Sequence, residues 1–379
     1  MAYFDDANKG FTSIFDHCVN QIRERFCDVR FHGIDFPAYA AHYRQFLPHI
    51  DNERDLSELA SELIGELNCS HMGLRYRPDA ATAPTASLGA FFDPDYDGDG
   101  LRILEVVEGG PLDLNDGRIT KGSIIESIDG QPVLKNQDYF PLLAGRAGKW
   151  VRLRVTGPKG KAPFDISVRP VTLAAQKALL YKRWVKRKQQ FTDDYSKGRI
   201  GYVHVQDMDS KSFRTVYSDI LGKYRNRQAL VVDERHNGGG WLHGDLAVLL
   251  SGKQYFTFVS RGQELGADPY TRWNRPSCVL MNEDCYSNAH GFPNMYRALG
   301  IGKLVGTPVA GTMTAVWWEQ IPGTHLNCGL PQIYCNDTEG RPLENQQLDP
   351  DIEIYNTPEQ MLSGDDAQLR RAIDHLLGK

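Results

Sequence analysis

A glycine turn at the end of an apolar run is the feature that most limits how this chain can fold. Asn237-Gly238-Gly239-Gly240 follows Ala229-Leu230-Val231-Val232-Asp233, a run with the length and composition of a buried strand. Consecutive glycines leave the backbone N–H groups unhindered and make positive φ angles inexpensive. A second apolar run, Ser277–Met281, leads to Ser287 and then to a helical pattern from Ala289 to Leu299. Both segments therefore predict accessible backbone groups where a strand ends.

The hydroxyl of Ser287 comes at the start of that helical pattern. The N–H groups and the dipole of a helix N-terminus favour negative charge there. A serine between such a terminus and the glycine turn could attack a carbonyl carbon while the N–H groups receive the developing oxyanion. A lone serine at a strand-to-helix turn is, however, more often a helix N-cap. The residues alone leave both interpretations open. Cys285, two residues earlier, is an alternative nucleophile, but we expect it to point to the other side of the chain and to be buried.

Composition and charge exclude several classes of protein. The 379 residues suffice for two or three domains, and 41% hydrophobic with 24% charged residues is typical of globular proteins. The net charge of −5 gives no reason to expect nucleic acid or a membrane surface as a partner. No apolar stretch reaches the ~18 residues of a membrane span. Met1–Asp6 lacks the character of a signal peptide, so we expect a cytoplasmic protein if the N-terminus is complete. A periplasmic or secreted protein is expected if an upstream segment was removed.

The cysteine and acidic patterns predict neither a disulfide framework nor a metal site. Seven cysteines are too few for a disulfide scaffold. Cys278 with Cys285, and Cys328 with Cys335, could pair, although free and mostly buried thiols are the expected state. No CxxC or HExxH spacing occurs, so we expect no metal and no organic cofactor. The Asp93–Gly98 segment resembles the start of a calcium loop but lacks the carboxylate required at position twelve, and a polar hairpin tip is expected.

The pattern of the chain changes twice along its length. Residues 1–76 repeat apolar side chains at helical spacing. A Pro- and Ala-rich linker, 77–85, leads to short strands with Gly and Asp turns over residues 85–172. Residues 173–379 begin with a basic helix and then alternate apolar strands with helices, which predicts an α/β layer. The sequence therefore indicates a helical domain at 1–76, a β domain at 85–172 and an α/β domain at 173–379.

The middle segment resembles a PDZ domain. The resemblance rests on Leu88-Gly89-Ala90-Phe91 and on the run from Gly122-Ser123-Ile124 to Gly130. A PDZ groove binds an extended peptide by adding it as a strand to an exposed sheet edge.

A broader resemblance covers residues 55 to 378, which are similar to the catalytic core of the tricorn family, within the wider group of C-terminal-processing serine peptidases. The segments that carry it are, in chain order, Ser70-His71, Asn237–Gly240, Ser287, Gly300–Thr307, Leu343-Glu344-Asn345, Leu348–Ile354 and Leu362–Leu369. The order of the three domains fits as well. The resemblance implies a multidomain α/β fold with an N-terminal helical segment, a PDZ-like β domain and a C-terminal crotonase- or ClpP-like α/β catalytic domain.

Catalytic roles follow from this resemblance residue by residue. It implies that Ser287 is the nucleophile, that His71 is the general base, and that Ser70 and Glu344 complete a tetrad. In that tetrad Glu344 orients His71 through the hydroxyl of Ser70. The chemistry agrees, because a serine needs a histidine to take its proton, and the imidazolium formed needs a polar or anionic partner.

The resemblance also implies how a substrate is held. The oxyanion hole is expected at the backbone N–H of Gly240, with that of Gly239, and at that of Asn288. Two segments are expected to flank the substrate backbone, Gly238 to Gly240 and Ala315-Val316-Trp317. This second segment is bulkier than the glycine-rich stretch usual in the family. Residues Gln254–Phe258 are neutral and aromatic where the family carries an acidic residue, so an apolar preference at the cleavage site is expected instead of a basic one.

We therefore predict a serine peptidase that hydrolyses unfolded proteins or oligopeptides. By resemblance it could form a homo-oligomer, a hexamer or a trimer, although the chain contains none of the β-propeller repeats that precede this core in the family. Two other classes remain as alternatives: a non-catalytic PDZ-type peptide-binding protein and a crotonase-like acyl enzyme.

Overall fold

A computed structural model describes residues 7–79, 83–114 and 116–379. The first six residues and residues 80–82 of the predicted linker lie outside the described residues. Contacts divide the chain into two compact units, one made of the residues up to Pro78 with Gln189–Lys379 and the other of Asp79–Lys188. The α-helices are α1 (Ala7–Arg25), α2 (Phe36–Arg44), α3 (Glu53–Gly65), α4 (Phe140–Leu143), α5 (Leu173–Ser196), α6 (Ser210–Ser218), α7 (His243–Leu250), α8 (Asn288–Ala298), α9 (Pro358–Ser363) and α10 (Ala367–Leu376).

The strands are β1 (Gly73–Tyr76), β2 (Ala86–Ser87), β3 (Ala90–Phe92), β4 (Leu101–Val106), β5 (Ile124–Ile128), β6 (Gln131–Pro132), β7 (Val151–Gly157), β8 (Lys161–Val168), β9 (Val171–Thr172), β10 (Ile200–His204), β11 (Ala229–Asp233), β12 (Phe256–Ser260), β13 (Gln263–Asp268), β14 (Ser277–Met281), β15 (Lys303–Gly306), β16 (Thr314–Gln320), β17 (Leu326–Tyr334) and β18 (Ile352–Glu353).

The N-terminal helices pack on a sheet that much later residues complete. β1 pairs antiparallel with β17, which pairs antiparallel with β16. Phe15 of α1 and Leu63 of α3, which follow the predicted helical spacing, join Leu74 of β1 and Leu326 of β17 in one buried cluster. The sequence predicts a boundary at residue 76, but this shared core keeps the N-terminal segment in one unit with the α/β region. The loop between α3 and β1 contains Ser70 and His71.

A parallel sheet forms the centre of the same unit and confirms the predicted alternation of strands and helices. Its strands run in the spatial order β10-β11-β14-β15-β18, which is also their chain order. Val232 and Val279 pack with residues of α7 and α8, whereas Cys278, pointing to the opposite face, contacts the Ala372 carbonyl of α10. Because β11 and β14 are parallel neighbours, their carboxyl ends bring the glycine turn and Ser287 to the same edge of the sheet.

A buried ion-pair network supports this edge. Arg235 follows β11 and contacts Asp233 at 2.7 Å and Asp366 at 2.9 Å, and all three side chains are almost fully buried. Asp366 is also the N-cap of α10, since it accepts a hydrogen bond from the Leu369 N–H. A buried charge is costly when it loses its partner, so the network fixes the position of α10 relative to the turn that precedes the glycines.

The second unit is an antiparallel β domain. Its main sheet has the order β3-β4-β5-β7-β8, with β6 paired to β5, and its core contains Ile103, Ile125 and Leu153. The acidic hairpin tip is paired with basic side chains: Asp93 accepts from Arg102, and Asp97 contacts Lys135.

All seven cysteines fall within the described ranges, and all are free thiols, so neither Cys278–Cys285 nor Cys328–Cys335 is joined. Over the same ranges, no group of three or more His, Cys, Asp or Glu side chains could hold a metal ion. None of the described helices is both long and apolar enough to cross a membrane.

Candidate active site

Ser287 occupies a strained turn between β14 and α8. Its backbone has φ 59° and ψ −123°, a region that costs a residue with a side chain about 1–3 kcal/mol. Its N–H donates to Thr312 Oγ1 at 2.8 Å, and its side chain makes no capping hydrogen bond to the helix. A β-carbon on Gly239 would come within 2.5 Å of the Ser287 β-carbon, so the glycine turn lies directly against the serine. The geometry does not support the N-cap interpretation.

Three side chains from two distant segments of the sequence form a continuous series of hydrogen bonds. Ser70 Oγ lies 2.8 Å from His71 Nδ1 and 3.0 Å from Glu344 Oε2. The other carboxylate oxygen, Oε1, accepts from the Ser70 N–H at 2.6 Å. One placement of protons satisfies every contact: Nδ1–H donates to Ser70 Oγ, and the Ser70 hydroxyl donates to Glu344. This placement leaves His71 Nε2 as a hydrogen-bond acceptor.

Burial shifts the pKa of both titratable groups in this hydrogen-bonded series, His71 and Glu344. Desolvation, with a smaller repulsion from Arg75, lowers the pKa of His71 to about 4, so the imidazole is neutral at pH 7. Burial raises the pKa of Glu344, while the hydrogen bonds from Ser70 act in the opposite direction. A neutral imidazole with a free Nε2 is the form that a general base requires.

Two further residues hold His71, and the sequence did not identify them. Thr314 Oγ1 lies 3.0 Å from His71 Nδ1 and 2.9 Å from Ser70 Oγ. The hydroxyl of Tyr286 accepts from the His71 N–H at 2.8 Å, and the two rings pack with centroids 4.6 Å apart. Tyr286 directly precedes Ser287, so it ties the His71 loop to the serine turn.

Ser287 and His71 line one cleft, which we call the Ser287 cleft, with a volume of about 500 Å³. Such a volume is typical of a ligand-binding site. Within the described part of the chain, no hydrogen bond joins Ser287 Oγ to the imidazole. Hydrogen bonds of this kind commonly tighten only when a substrate is bound.

The backbone donors of the cleft differ in their availability. The Gly239 N–H donates to Asn237 Oδ1 at 2.8 Å and is therefore engaged. The N–H groups of Gly240 and Asn288 have no acceptor among the described residues. The Asn288 side chain accepts from the Leu242 N–H at 2.8 Å, which holds the glycine turn beside the start of α8. Two N–H groups, one from each turn, are thus free at the serine.

The predicted substrate-binding residues divide into two groups. Gly238, Gly240, Ala315 and Val316 line the Ser287 cleft together with Asn288. Gly239 and Trp317 do not. Gly239 packs behind the serine, and Trp317 is half exposed, since neighbours on a strand point in opposite directions. Trp318 and Arg75, which were not predicted from the sequence, also line the cleft.

Cys285 is buried at 1% exposure and donates its S–H to the Glu234 carbonyl oxygen at 3.2 Å. Burial raises the pKa of its thiol well above the ordinary value. The chemistry of a thiol nucleophile requires the opposite environment.

Three segments of the chain match known protein families. Residues 7–65 match the tricorn protease C1 domain, residues 87–172 the tricorn protease PDZ domain, and residues 199–354 peptidase family S41. The Ser70-His71 pair lies between the first two matches, and Ser287 and Glu344 lie within the third.

Individual relatives agree with these matches. The chain is 28% identical over 344 residues to tricorn protease of Thermoplasma acidophilum, covering 88% of this chain and 32% of the relative. It is 29% identical over 371 residues to tricorn protease homolog 1 of Streptomyces coelicolor, covering 95% and 34%. The chain thus spans about a third of the length of these relatives.

The solved crystal structure of the tricorn protease superposes with a TM-score of 0.83 at 25% identity, covering 98% of this chain and 37% of that one. The chain is therefore a relative of tricorn protease, with a PDZ domain at residues 87–172 and a peptidase family S41 domain at residues 199–354.

Proposed function

We propose that this protein is a serine peptidase that hydrolyses peptide bonds in unfolded proteins or oligopeptides. The observation that carries the proposal is the position of the Ser70 hydroxyl, 2.8 Å from His71 Nδ1 and 3.0 Å from Glu344 Oε2, in a cleft that also contains Ser287. The match of residues 199–354 to a peptidase family supports it independently.

In the proposed reaction Ser287 Oγ attacks the carbonyl carbon of the scissile bond. His71 Nε2 takes the hydroxyl proton. The imidazolium formed donates its Nδ1–H to Ser70 Oγ, and the Ser70 hydroxyl transmits the stabilising effect of the Glu344 carboxylate to the imidazolium. The oxyanion accepts hydrogen bonds from the N–H groups of Gly240 and Asn288. Loss of one such donor typically costs ~3 kcal/mol of transition-state stabilisation.

The second half of the reaction uses the same residues. His71 returns its proton to the amine leaving group as the tetrahedral intermediate collapses to an acyl-enzyme on Ser287. Water, deprotonated by His71, then attacks the ester and releases the carboxylate product. The chain supplies every proton transfer from its own side chains.

The test is a covalent probe combined with a substrate assay. A fluorophosphonate should add once per chain, on Ser287, and Ser287→Ala should abolish both the adduct and the cleavage of an unfolded casein or a quenched peptide. Cys285→Ser is the matched control and should retain labelling and most activity. An adduct on Cys285 would contradict the assignment, and turnover of an acyl thioester without peptide cleavage would favour an acyl enzyme instead.

The predicted hexamer or trimer stays a prediction, which the mass of the protein in dilute solution would test.

A further inference from the structure

Arg75 is a cation in the Ser287 cleft with no carboxylate partner among the described residues. On β1, Leu74 enters the buried cluster beneath the N-terminal helices, and Arg75 points to the opposite face of the sheet. It is exposed and lines the cleft with Ser287 and His71. Across the residues that the structure describes, no Asp or Glu lies within ion-pair distance of its guanidinium.

The sheet holds this guanidinium in place by stacking. Its central carbon lies 3.7 Å from the centroid of a Trp318 ring. Trp318 on β16 is paired with Gly329 on β17, and Gly329 with Gly73 on β1. A β-carbon on Gly329 would come within 2.5 Å of the indole, so this glycine lets the ring lie across β17 toward Arg75. Stacking engages the face of the guanidinium and leaves its in-plane N–H donors available.

The other described residues of the cleft carry no negative charge. The described lining consists of Arg75, His71, glycines and neutral side chains. His71 is neutral at pH 7 because burial lowers its pKa to about 4. A peptide in the cleft therefore meets a single positive charge, presented in the planar form that binds a carboxylate through two parallel hydrogen bonds.

We propose that Arg75, stacked on Trp318, binds a carboxylate of the peptide substrate, either an acidic side chain near the scissile bond or the free C-terminal carboxylate. The proposal rests on the proposed function, since the cleft is taken to be the peptide site.

The test compares matched quenched peptides at pH 7.5. A neutral, C-terminally amidated peptide is the reference. One series places Glu, or Lys as its control, at successive positions on both sides of the cleaved bond, and a second series differs only in a free C-terminus. We expect kcat/KM about tenfold higher for one carboxylate series, the value for an exposed charged hydrogen bond. Whichever series shows the gain identifies the source of the carboxylate.

Arg75→Gln should remove this gain, so that kcat/KM falls about tenfold more for the carboxylate peptide than for the neutral peptide, whereas Arg75→Lys should keep part of the gain. Arg77→Gln, which removes an exposed arginine outside the cleft lining, is the control and should change nothing. Equal loss for neutral and acidic peptides in Arg75→Gln, or a carboxylate preference that survives it, would overturn the proposal.

A binding measurement separates this inference from the proposed function. Anisotropy of the labelled peptides with Ser287→Ala, and with Ser287→Ala/Arg75→Gln, reports carboxylate recognition without turnover. Arg75-dependent binding in a protein that hydrolyses no peptide would support the carboxylate subsite and contradict the proposed peptidase function. Peptide cleavage with no Arg75-dependent preference in binding or turnover would support the peptidase function and contradict the carboxylate subsite.

Discussion

Replacing Glu344 by glutamine tests how the proton is held on His71. The carboxylate accepts both the N–H of Ser70, at 2.6 Å, and its hydroxyl, at 3.0 Å. A glutamine has one carbonyl oxygen, and when that oxygen keeps the N–H, the amide NH₂ faces Ser70 Oγ. The hydroxyl then accepts from the amide and donates to His71 Nδ1, which moves the imidazole proton to Nε2. In that tautomer His71 cannot take the proton of Ser287.

The expected losses follow from the acceptors that remain. An amide in place of a triad carboxylate costs ~10⁴-fold by the same tautomer effect. Thr314 Oγ1, 3.0 Å from Nδ1, offers the N–H a second acceptor, so we expect a loss in kcat/KM of about 10³-fold, or ~4 kcal/mol, for Glu344→Gln. Ser70→Ala leaves the Thr314 acceptor and the correct tautomer, and should lose about 30-fold, or ~2 kcal/mol.

The double variant distinguishes this change of tautomer from a general structural disturbance of the site. Without the Ser70 hydroxyl, the new amide cannot move the imidazole proton from Nδ1 to Nε2. The kcat/KM of Ser70→Ala/Glu344→Gln should therefore equal that of Ser70→Ala and exceed that of Glu344→Gln. The measurement is cleavage of a quenched peptide at pH 7.5, with melting temperatures as a folding check. Glu339→Gln, an exposed carboxylate of the same loop, is the control. Losses that multiply in the double variant would show that Ser70 and Glu344 act separately.

Three further predictions concern strain and titration. Ser287→Gly should have a free energy of unfolding ~1 kcal/mol larger than that of Ser287→Ala, and so a higher melting temperature, because glycine removes the cost of the positive φ but loses more chain entropy; equal melting temperatures would refute stored strain. The acid limb of kcat/KM should lie near pH 4, since His71 is protonated only below its lowered pKa of about 4, and should move upward in Arg75→Gln; a limb near 6.5 would refute it. Glu234 is buried, neither of its carboxyl oxygens has a hydrogen-bond partner among the described residues, and burial raises its pKa. The contribution of Glu234 to the free energy of unfolding is therefore greatest below the unfolded-state pKa. It declines as pH rises, by up to ~1.4 kcal/mol per pH unit until the folded-state pKa is reached. Unfolding by denaturant at pH 5 to 8 should show this decline relative to Glu234→Gln, and parallel curves of unfolding free energy against pH would contradict it.

The sequence predicted the parallel sheet and its turns because their signals are local. The runs that became β11 and β14 are uninterrupted apolar segments, typical of strands buried on both faces. Each is followed by a residue pattern that cannot continue a strand. Parallel pairing then brings the Asn237–Gly240 turn and Ser287 to one edge without further information.

The antiparallel sheet β1-β17-β16 was not predicted, and its register determines the rest of the cleft. The sequence treated Ala315–Trp317 as one substrate edge, but a β-bulge between Ala315 and Val316 decides which side chains face the cleft. As a result Trp318, rather than Trp317, lines it. Pairing between residue 73 and residue 329 has no local signature, since both positions are glycines.

Thr314 and Tyr286 were missed for a related reason. Each lies within two residues of a predicted site segment, but neither residue type carries a catalytic signal alone. Their importance arises from contacts across about 215 to 244 residues of chain, with Ser70 and His71. Such contacts become visible only when the loop that contains Ser70 is placed against β16.

The position of that loop depends on packing far from the Ser287 cleft. α3 ends at Gly65 and β1 begins at Gly73, so the Ser70-His71 segment is fixed at both ends by elements of the N-terminal core. That core is completed by Leu326 and Cys328 of β17, on the strand that also pairs with β16 and thereby positions Thr314. The proposed general base and its acceptor are therefore held by the same antiparallel sheet, whereas the proposed nucleophile is held by the parallel one. The proposed reaction requires the two sheets to keep a fixed relation, and the hydrogen bond from the His71 N–H to the Tyr286 hydroxyl joins them beside Ser287.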